Sequence, residues 1–472
     1  MNSAVNFICN NEEIFVKIHP ATTLLDYIRK QLRLTGTKES CREGDCGSCA
    51  VLVGQLVGGE VKYCVENSCI LPIGSIQGKH IVTIEGLGGE TLNTIQKIFV
   101  EEGATQCGFC TPGFIISLTG YLLSNPEADY TGALNSLDGN ICRCTGYSSI
   151  RRVAAKVLQY MDEDGYNTID HIQKLMDKKI IPEYFKTIAS RLETIEPAIC
   201  PEEIQSQKII GGGTDLFVQR WEELLHSDIK FLHKENEDDF IFIREGKVFI
   251  NSRTTINEFM HSSIIENVIP QIKEFLKLFG SNPIRNRATI GGNIVNASPI
   301  GDITNFLLAF DSTMHLKNTG HEREVELKKF YTDYKKCDLR PGEFIDKISF
   351  TLPDKKYHLN FEKVSRRTYL DIASVNTTIL IEEENLKIKK IHLSAGGVFP
   401  YPLYLSITSE YLNGKIISEK IIGEAVKIAK EEIKPISDAR GSIEYKKLLF
   451  GQLIKAHFIK LFPRLFEVEE LA

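Results

Sequence analysis

Tryptophan is nearly absent from this sequence, with one residue in 472, and proline is scarce at 16. With 42% hydrophobic and 25% charged residues, the composition is that of a soluble globular protein. A basic surplus is also missing, since 56 lysines and arginines stand against 62 acids, for a net charge of −6. Such a chain carries no electrostatic footprint for nucleic acid or for an anionic membrane. Long apolar runs are lacking as well, and none approaches the roughly 20 residues that a membrane helix needs. The opening Met1-Asn2-Ser3-Ala4-Val5-Asn6 lacks the basic-then-apolar pattern of a secretory signal, so a cytoplasmic location is expected. The length is too great for one ordinary core and points to about three or four domains.

Cysteine is plentiful by contrast. Ten of the twelve cysteines lie before residue 145, most of them in tight groups. A disulfide framework is not expected in a reducing compartment. Clustered thiols there hold a metal or perform redox chemistry.

Cys41, Cys46 and Cys49 read C-x4-C-x2-C, the spacing by which plant-type ferredoxins wrap a [2Fe–2S] cluster, with a fourth cysteine further on. Gly44, Gly47 and Ser48 are small enough for the loop to turn tightly and aim N–H groups at the sulfurs. Upstream, Val5 to Ile8 and Ile14 to Ile18 read as strands joined across Asn10-Asn11. A helix then starts at the N-cap candidate Thr23, with Leu24, Leu25, Ile28 and Leu32 on one face. Hairpin, helix and cysteine loop describe a ferredoxin-like β-grasp domain. Cys64 and Cys69 both follow, and spacing alone leaves the fourth ligand open. Zinc is the alternative metal, although zinc sites usually come as paired C-x2-C knuckles.

Cys107 and Cys110 form C-x2-C, and Cys142 and Cys144 form C-x-C, with 31 residues between the pairs. Four thiolates can take zinc or an iron–sulfur cluster, and the tight C-x-C half is unlike the usual zinc knuckle. The intervening segment is helical by pattern, with Phe114, Ile115, Leu118 and Leu122 on one face and a break at Asn125-Pro126. A further amphipathic stretch runs from Ile150 to Tyr160. Two helix hairpins with their thiols at one end make a small four-helix domain.

Taken together, the two sites resemble the iron–sulfur half of the molybdenum hydroxylases, the xanthine dehydrogenase and aldehyde oxidase family. The phrases that carry the resemblance are Glu43-Gly-Asp-Cys-Gly-Ser-Cys49, Gln106-Cys-Gly-Phe-Cys-Thr-Pro-Gly113 and Asn140-Ile-Cys-Arg-Cys-Thr-Gly-Tyr147. Asn67-Ser-Cys-Ile-Leu-Pro-Ile73 is similar to the family's fourth-ligand segment, which implies Cys69 rather than Cys64. The resemblance thus implies two [2Fe–2S] clusters, one on Cys41, Cys46, Cys49 and Cys69 and one on Cys107, Cys110, Cys142 and Cys144. Cys9, Cys64, Cys200 and Cys337 are left over as buried or inert thiols.

Beyond Tyr160 the chain turns polar through Asp162-Glu-Asp-Gly165 and stays charged to about residue 180, which reads as a linker. Lys208-Ile-Ile-Gly-Gly-Gly-Thr-Asp-Leu216 follows, a strand running into three glycines that could present consecutive N–H groups to a pyrophosphate. It is not a Rossmann fingerprint, because Leu216 stands where the third glycine should be. Taken by itself, this loop is better explained as a plain tight turn than as a ligand site. A second glycine-rich segment runs from Arg285 to Asp302 and interleaves Thr289, Asn293, Asn296 and Ser298 with apolar residues. That suits a buried loop whose polar groups need partners, either a nucleotide or a turn network.

Both segments resemble the flavin-binding loops of the same family. The resemblance implies an FAD site at Ile209, Ile210, Gly211, Gly212, Gly213, Thr214, Asp215, Leu216, Phe279, Thr289, Gly291, Gly292, Asn293, Ser298 and Asp302. Leu339-Arg-Pro-Gly-Glu-Phe-Ile345 and Lys363-Val-Ser-Arg-Arg367 are similar to further family segments and add Ile345 and Lys363. Helical periodicity from Ile421 to Ile433 resembles the family's C-terminal flavoprotein domain. The family usually has a strand and a full helix before the first glycine loop. Only Glu202 to Gln207 immediately precedes it here, so that edge is expected to be abbreviated.

The expectation is a multidomain α+β chain. It comprises a β-grasp ferredoxin-like domain at 1–88, a four-helix [2Fe–2S] domain at 89–165 and a linker at 166–181. An α+β FAD-binding domain of the molybdenum hydroxylase type follows at 182–352, then a C-terminal α+β flavoprotein domain at 353–472. The resemblance implies the electron-transfer subunit of a xanthine dehydrogenase-type enzyme. A separate large subunit would hold the molybdopterin cofactor, in a dimer of heterodimers, with NAD⁺ as final acceptor and no catalytic residue in this chain. Two alternatives stand beside it: the small subunit of a related aldehyde or N-heterocycle dehydrogenase, and a self-contained iron–sulfur flavoprotein reductase. The related hydroxybenzoyl-CoA reductase carries an extra cysteine-rich loop in its flavin subunit, and here that half offers only Cys200 and Cys337.

Overall fold

Hydrophobic alternation in the first eighteen residues produces a hairpin, and a five-stranded sheet grows from it. In the computed structural model, which describes residues 2–89, 91–162, 170–195, 208–232, 240–318, 320–354 and 356–466, the chain forms two compact units. The first comprises residues 1–235 with 281–288, and the second residues 236–280 with 289–472.

In the first unit, β1 (Ser3–Cys9) pairs antiparallel with β2 (Glu12–Ile18) across a turn at Asn10, whose φ is +54°. β3 (Ala50–Val57), β4 (Glu60–Asn67) and β5 (His80–Val82) complete a sheet of order β2-β1-β5-β3-β4. The expected helix begins after Thr23, whose hydroxyl accepts from the Asp26 N–H, and runs through Leu24–Asp26 into a π-turn at Tyr27–Gln31. Leu24, Leu25 and Ile28 are fully buried, and Leu24 and Ile28 share a core with Phe7, Val51, Val53 and Ile81.

The opposite face of the sheet is covered by four helices, Thr94–Glu101, Thr111–Ser124, Tyr130–Ser136 and Ser148–Asp162. Phe114, Leu118, Ile150, Val153 and Val157 from these helices merge with Leu52, Val65 and Val82 of the sheet into one core. Each such side chain contributes roughly 1.5–3 kcal/mol by leaving water, so the cluster domains are packed as one body.

The linker expected at 166–181 needs correction. Residues 166–169 lie outside the described residues, but His171–Asp177 is a helix capped by the Asp170 carboxylate. Leu175, Met176, Ile180 and Ile181 are buried in the shared core, and the Asn93 side chain donates to the Ile180 carbonyl at 3.1 Å. A polar average over this stretch conceals four apolar residues spaced to cover the helical bundle. The next helix, Phe185–Glu193, also belongs here, with Phe185 in the shared core and Ile188 and Leu192 against Ile8. The abbreviated edge expected at Glu202 to Gln207 falls outside the described residues.

In the second unit, five antiparallel strands are ordered His321–Glu326, Thr313–Asn318, Phe344–Thr351, Lys247–Asn251, Ile241–Arg244. A separate four-stranded antiparallel sheet, Tyr357–Val364, Val375–Glu384, Lys387–Gly396 and Leu403–Tyr404, packs under helices Ser406–Leu412, Glu419–Glu432 and Ile443–Leu461. Helix Glu419–Glu432 is the periodic segment read from the sequence, and it buries Ile422, Ala425, Val426 and Ala429.

Candidate cofactor sites

The first cysteine loop lies between the helix and β3, and three of its residues have left-handed backbone: Arg42 (φ +57°), Gly44 (φ +78°) and Gly47 (φ +68°). This winding gathers the four thiols into one run, Cys46 to Cys41 to Cys69 to Cys49. The Cys41 thiol is held below its ordinary range first by a hydrogen bond from Cys46 and then by one from Cys69. Cys49 is lowered in the same way by Cys69. The Glu43 N–H approaches the Cys41 sulfur at 3.4 Å, and Ser48 Oγ lies 3.1 Å from that of Cys46. Asn67 fastens the Cys69 segment to the loop by donating to the Gly44 carbonyl at 2.6 Å, and Ser68 Oγ donates to the Cys49 carbonyl at 2.7 Å. Asn67 and Ser68 escaped the sequence reading as supporting residues. Cys64 is elsewhere: it pairs with Val53 inside the sheet, and its thiol donates to the Val53 carbonyl at 3.7 Å.

The second set meets in two pairs. Cys107 and Cys144 sulfurs are 3.5 Å apart and both residues are exposed, whereas Cys142 is buried with Cys110 beside it. Burial, followed by the bond to Cys142, pushes the Cys110 thiol up to about 12. Burial works against the Cys142 thiolate, yet the Thr145 hydroxyl and N–H bring its pKa below the ordinary value. Tyr147, with φ of +68°, folds back so that its phenol oxygen accepts the Cys142 N–H at 2.9 Å. Among the described residues no three His, Cys, Asp or Glu side chains surround a single metal ion. Four thiols brought together at each site, with backbone N–H groups beside the Cys41 and Cys142 sulfurs, suit a binuclear cluster.

The two loops touch. The Ile141 N–H donates to the Cys46 carbonyl at 3.0 Å, and Asn140 Nδ2 donates to the Gly47 carbonyl at 3.3 Å. A Cβ on Gly113 would lie 2.2 Å from the Gly47 oxygen, so Gly113 is required by the approach of the two loops. On the outer side, Cys107, Gly108 and Phe109 line a cleft of about 440 Å³ with Arg29, Thr35, Lys38 and Glu39.

The glycine loop 211–213 also belongs to the first unit. Strand Lys208–Ile210 leads into it, two short helices follow from Leu216 to Leu225, and Ile229–Phe231 returns parallel to the first strand. Ile210, Phe217, Leu224 and Phe231 share a core with Cys49, Cys69 and Ile70, which seats the loop's base against the first cluster site. Gly213 has φ of +75°. Among the described residues the N–H groups of Gly211, Gly212, Gly213 and Thr214 make no hydrogen bond, which fits a phosphate cradle. A Cβ on Gly212 would lie 2.1 Å from the Arg287 carbonyl oxygen, so this glycine is demanded by the protein itself.

In the second unit, the Thr289 hydroxyl caps helix Ile290–Val295 by accepting the Gly292 N–H at 3.1 Å, and the Gly291 N–H donates to the Ser252 carbonyl. Asn293 Oδ1 accepts from both the N–H and hydroxyl of Thr304 at 3.2 Å. Buried Asp302 pairs with Lys363 at 2.6 Å and accepts from Asn376. Lys363 also donates to the Leu278 carbonyl, next to Phe279, and Phe279 and Asp302 line a small cleft with Phe275, Leu276, Phe306 and Phe361. Ser298 lies half-buried just after helix Ile290–Val295, and Ile345 is buried in strand Phe344–Thr351 opposite Leu316, outside that cleft lining. Thr289, Asn293 and Asp302 therefore have polar atoms engaged within the protein.

Four family models match in sequence order. A 2Fe-2S iron–sulfur cluster binding domain covers residues 7–73 and a [2Fe-2S] binding domain covers 83–155. An FAD binding domain in molybdopterin dehydrogenase covers 186–353, and a CO dehydrogenase flavoprotein C-terminal domain covers 360–461. By domain content this is an iron–sulfur flavoprotein. The chain is 27% identical to a xanthine dehydrogenase of Dictyostelium discoideum over 98% of its own length and 41% of that protein's. It is also 27% identical to the xanthine dehydrogenase/oxidase of Rattus norvegicus, over 94% of this chain and 38% of that protein. The chain therefore spans about two-fifths of these relatives. The carbon monoxide dehydrogenase structure from Hydrogenophaga pseudoflava, which lacks the Mo-pyranopterin moiety, superposes with a TM-score of 0.52 at 23% identity. That likeness covers 55% of this chain and 91% of the other. The chain belongs to the iron–sulfur and flavin-bearing part of the molybdenum hydroxylase family.

Proposed function

We propose that this chain is the electron-transfer subunit of a xanthine dehydrogenase-type molybdenum hydroxylase, delivering electrons from a molybdopterin-bearing partner to NAD⁺. Cys107, Cys110, Cys142 and Cys144 hold one [2Fe–2S] cluster, and Cys41, Cys46, Cys49 and Cys69 hold the other. Ile209 to Leu216, Phe279, Thr289, Gly291, Gly292, Asn293, Ser298, Asp302, Ile345 and Lys363 serve FAD, which when bound collects in pairs the electrons that clusters carry singly.

The observation that carries this reading is the order of the thiol sites within the first unit. The Cys107 and Cys144 pair is exposed, its loop is hydrogen-bonded to the Cys46 loop, and Cys49 and Cys69 share a core with the glycine loop. An electron arriving from outside would meet the helical-domain site first and the ferredoxin-like site second. A self-contained reductase needs only one cluster and gives no reason for the exposed pair. The substrate is assigned to the partner, because likeness to a xanthine dehydrogenase along nearly the whole chain, and to a carbon monoxide dehydrogenase over 55% of it, singles out no one substrate. A reducing, cytoplasmic setting is part of this reading, as it suits eight thiols gathered for iron.

The test is Cys142→Ser in the complex and in the isolated chain. NADH-to-dye activity should survive in the isolated variant, while xanthine-to-NAD⁺ turnover disappears in the complex. Equal loss of both activities in folded, flavin-replete protein would overturn the order, and xanthine oxidation by the chain alone would overturn the partner.

A further inference from the structure

Residues 281–288 lead into the second glycine-rich segment and include its first four residues, but they fold with the cluster domains. The Asn282 N–H and Arg285 Nη2 both donate to the Asp138 carboxylate at 2.8 Å, just before the second cysteine loop. Ile284 packs in the core that contains Cys49 and Cys69. Asn286 donates to the Val65 carbonyl at 2.8 Å. Arg287 then inserts a buried guanidinium into the ferredoxin-like domain. Nη1 meets Glu66 at 3.0 Å and Nη2 meets Ser75 Oγ at 3.2 Å, while Nε makes no hydrogen bond among the described residues. Arginine and glutamate are 8% and 5% exposed, so each charge depends on the other for compensation. The main chain of the same arginine lies against Gly212, whose missing side chain leaves room for its carbonyl oxygen.

We propose that Arg287 is a positioning residue that clamps the flavin loop Gly211–Gly213 onto the first-cluster domain through its buried pair with Glu66. The inference rests on the proposal that this loop holds FAD. One residue touches both structures: its backbone sets the shape of the glycine loop, and its side chain is anchored two positions before Ser68 and three before Cys69. A buried charge that loses its partner cannot remain in place, because desolvation is no longer offset. Releasing the side chain must therefore move the backbone that abuts Gly212. The pair is a clamp whose tension reaches flavin affinity on one side and the Asn67–Cys69 ligand segment on the other.

The experiment uses the full chain reconstituted with iron, sulfide and FAD, and compares wild type with Glu66→Gln, Arg287→Lys, Arg287→Gln and the exchanged pair Glu66→Arg/Arg287→Glu. FAD dissociation constants come from flavin fluorescence, and the clusters are followed by iron content and by electron paramagnetic resonance of the reduced state. Glu66→Gln and Arg287→Gln should weaken FAD by about tenfold or more and alter the first-cluster signal alone, with iron unchanged. Arg287→Lys, which keeps the charge, should lie between them and wild type, and the exchanged pair should recover most of the affinity. Binding within twofold of wild type in both glutamine variants would overturn the clamp. So would loss of iron or fold in the glutamine variants together with wild-type behaviour in Arg287→Lys, since the pair would then be structural only. Wild-type chain that takes up no FAD would remove the flavin reading itself and the clamp with it.

Discussion

The Ile141 N–H donates to the carbonyl of Cys46 at 3.0 Å, so that one hydrogen bond joins a residue adjoining Cys142 to a thiol residue of the other set. Around this bond the glycines have been fitted to close approach: Gly113 to the Gly47 carbonyl, and Gly47 to Gly139 and Asn140. Gly113 lies in a regular helix, so adding a methyl there tests sterics without backbone strain. Gly113→Ala should destabilise the chain by about 1–3 kcal/mol and separate the two loops. The change is in the helical domain, yet the ferredoxin-like cluster's resonance signal should broaden or shift. An unchanged signal with an unchanged melting temperature would show that the loops are independent.

Cys69 and Cys64 can be separated by iron analysis. Cys69 lies in the turn that Asn67 and Ser68 fasten to the first loop, while Cys64 is in mid-strand opposite Val53. Cys69→Ser should lower iron from about four to about two atoms per chain, and Cys64→Ser should leave it unchanged. Equal losses from both variants would contradict the assignment.

Acid stability depends on histidines that are buried neutral. Burial, and then nearby Lys460, push His457 down to about 3, and its two ring nitrogens are engaged by Asn360 and Thr377 at 2.8 Å. Burial likewise lowers His80 and His392 to about 4. Each depressed base binds a proton in the unfolded chain near pH 6.5 but not in the folded one until the pH is far lower. Their stabilising contribution is therefore complete above about pH 6.5 and is lost as the pH falls toward 4. In that window each histidine should steepen the loss of stability by about 1.4 kcal/mol per pH unit. Denaturant unfolding of His457→Gln should show a slope lower by that amount, and an unaltered slope would show that His457 does not contribute.

Much of the cofactor chemistry was legible because cysteine spacing is set by cluster geometry and does not depend on distant packing. The hairpin, the Thr23 cap and the Glu419–Glu432 helix were legible from local periodicity for the same reason. The helix His171–Asp177 was hidden, since the apolar residues that meet the core, Ile172, Leu175, Met176, Ile180 and Ile181, are interrupted by charged ones. Arg287 was invisible in a different way. Its partners Glu66 and Ser75 are more than 200 residues distant in sequence, and no local pattern marks a charge destined for burial.

Gly212 shows the limit most clearly. The sequence suggested a glycine kept bare for phosphate, but a side chain there would strike the Arg287 carbonyl whether or not FAD is present. Gly212→Ala should consequently lower the melting temperature of flavin-free chain as well as of loaded chain. A variant that melts normally without flavin and fails only to bind it would restore the simpler explanation.

We expect one chain to hold two one-electron carriers and one two-electron carrier. Anaerobic titration of the purified, reconstituted chain with dithionite, followed by visible absorbance and electron paramagnetic resonance, tests it most directly. The expected uptake is about four electrons per chain, two into the clusters and two into flavin, with two distinct [2Fe–2S] signals in the reduced protein. An uptake of about two electrons or fewer from protein with full iron and flavin content, or zinc in place of iron at the Cys107, Cys110, Cys142 and Cys144 site, would contradict it.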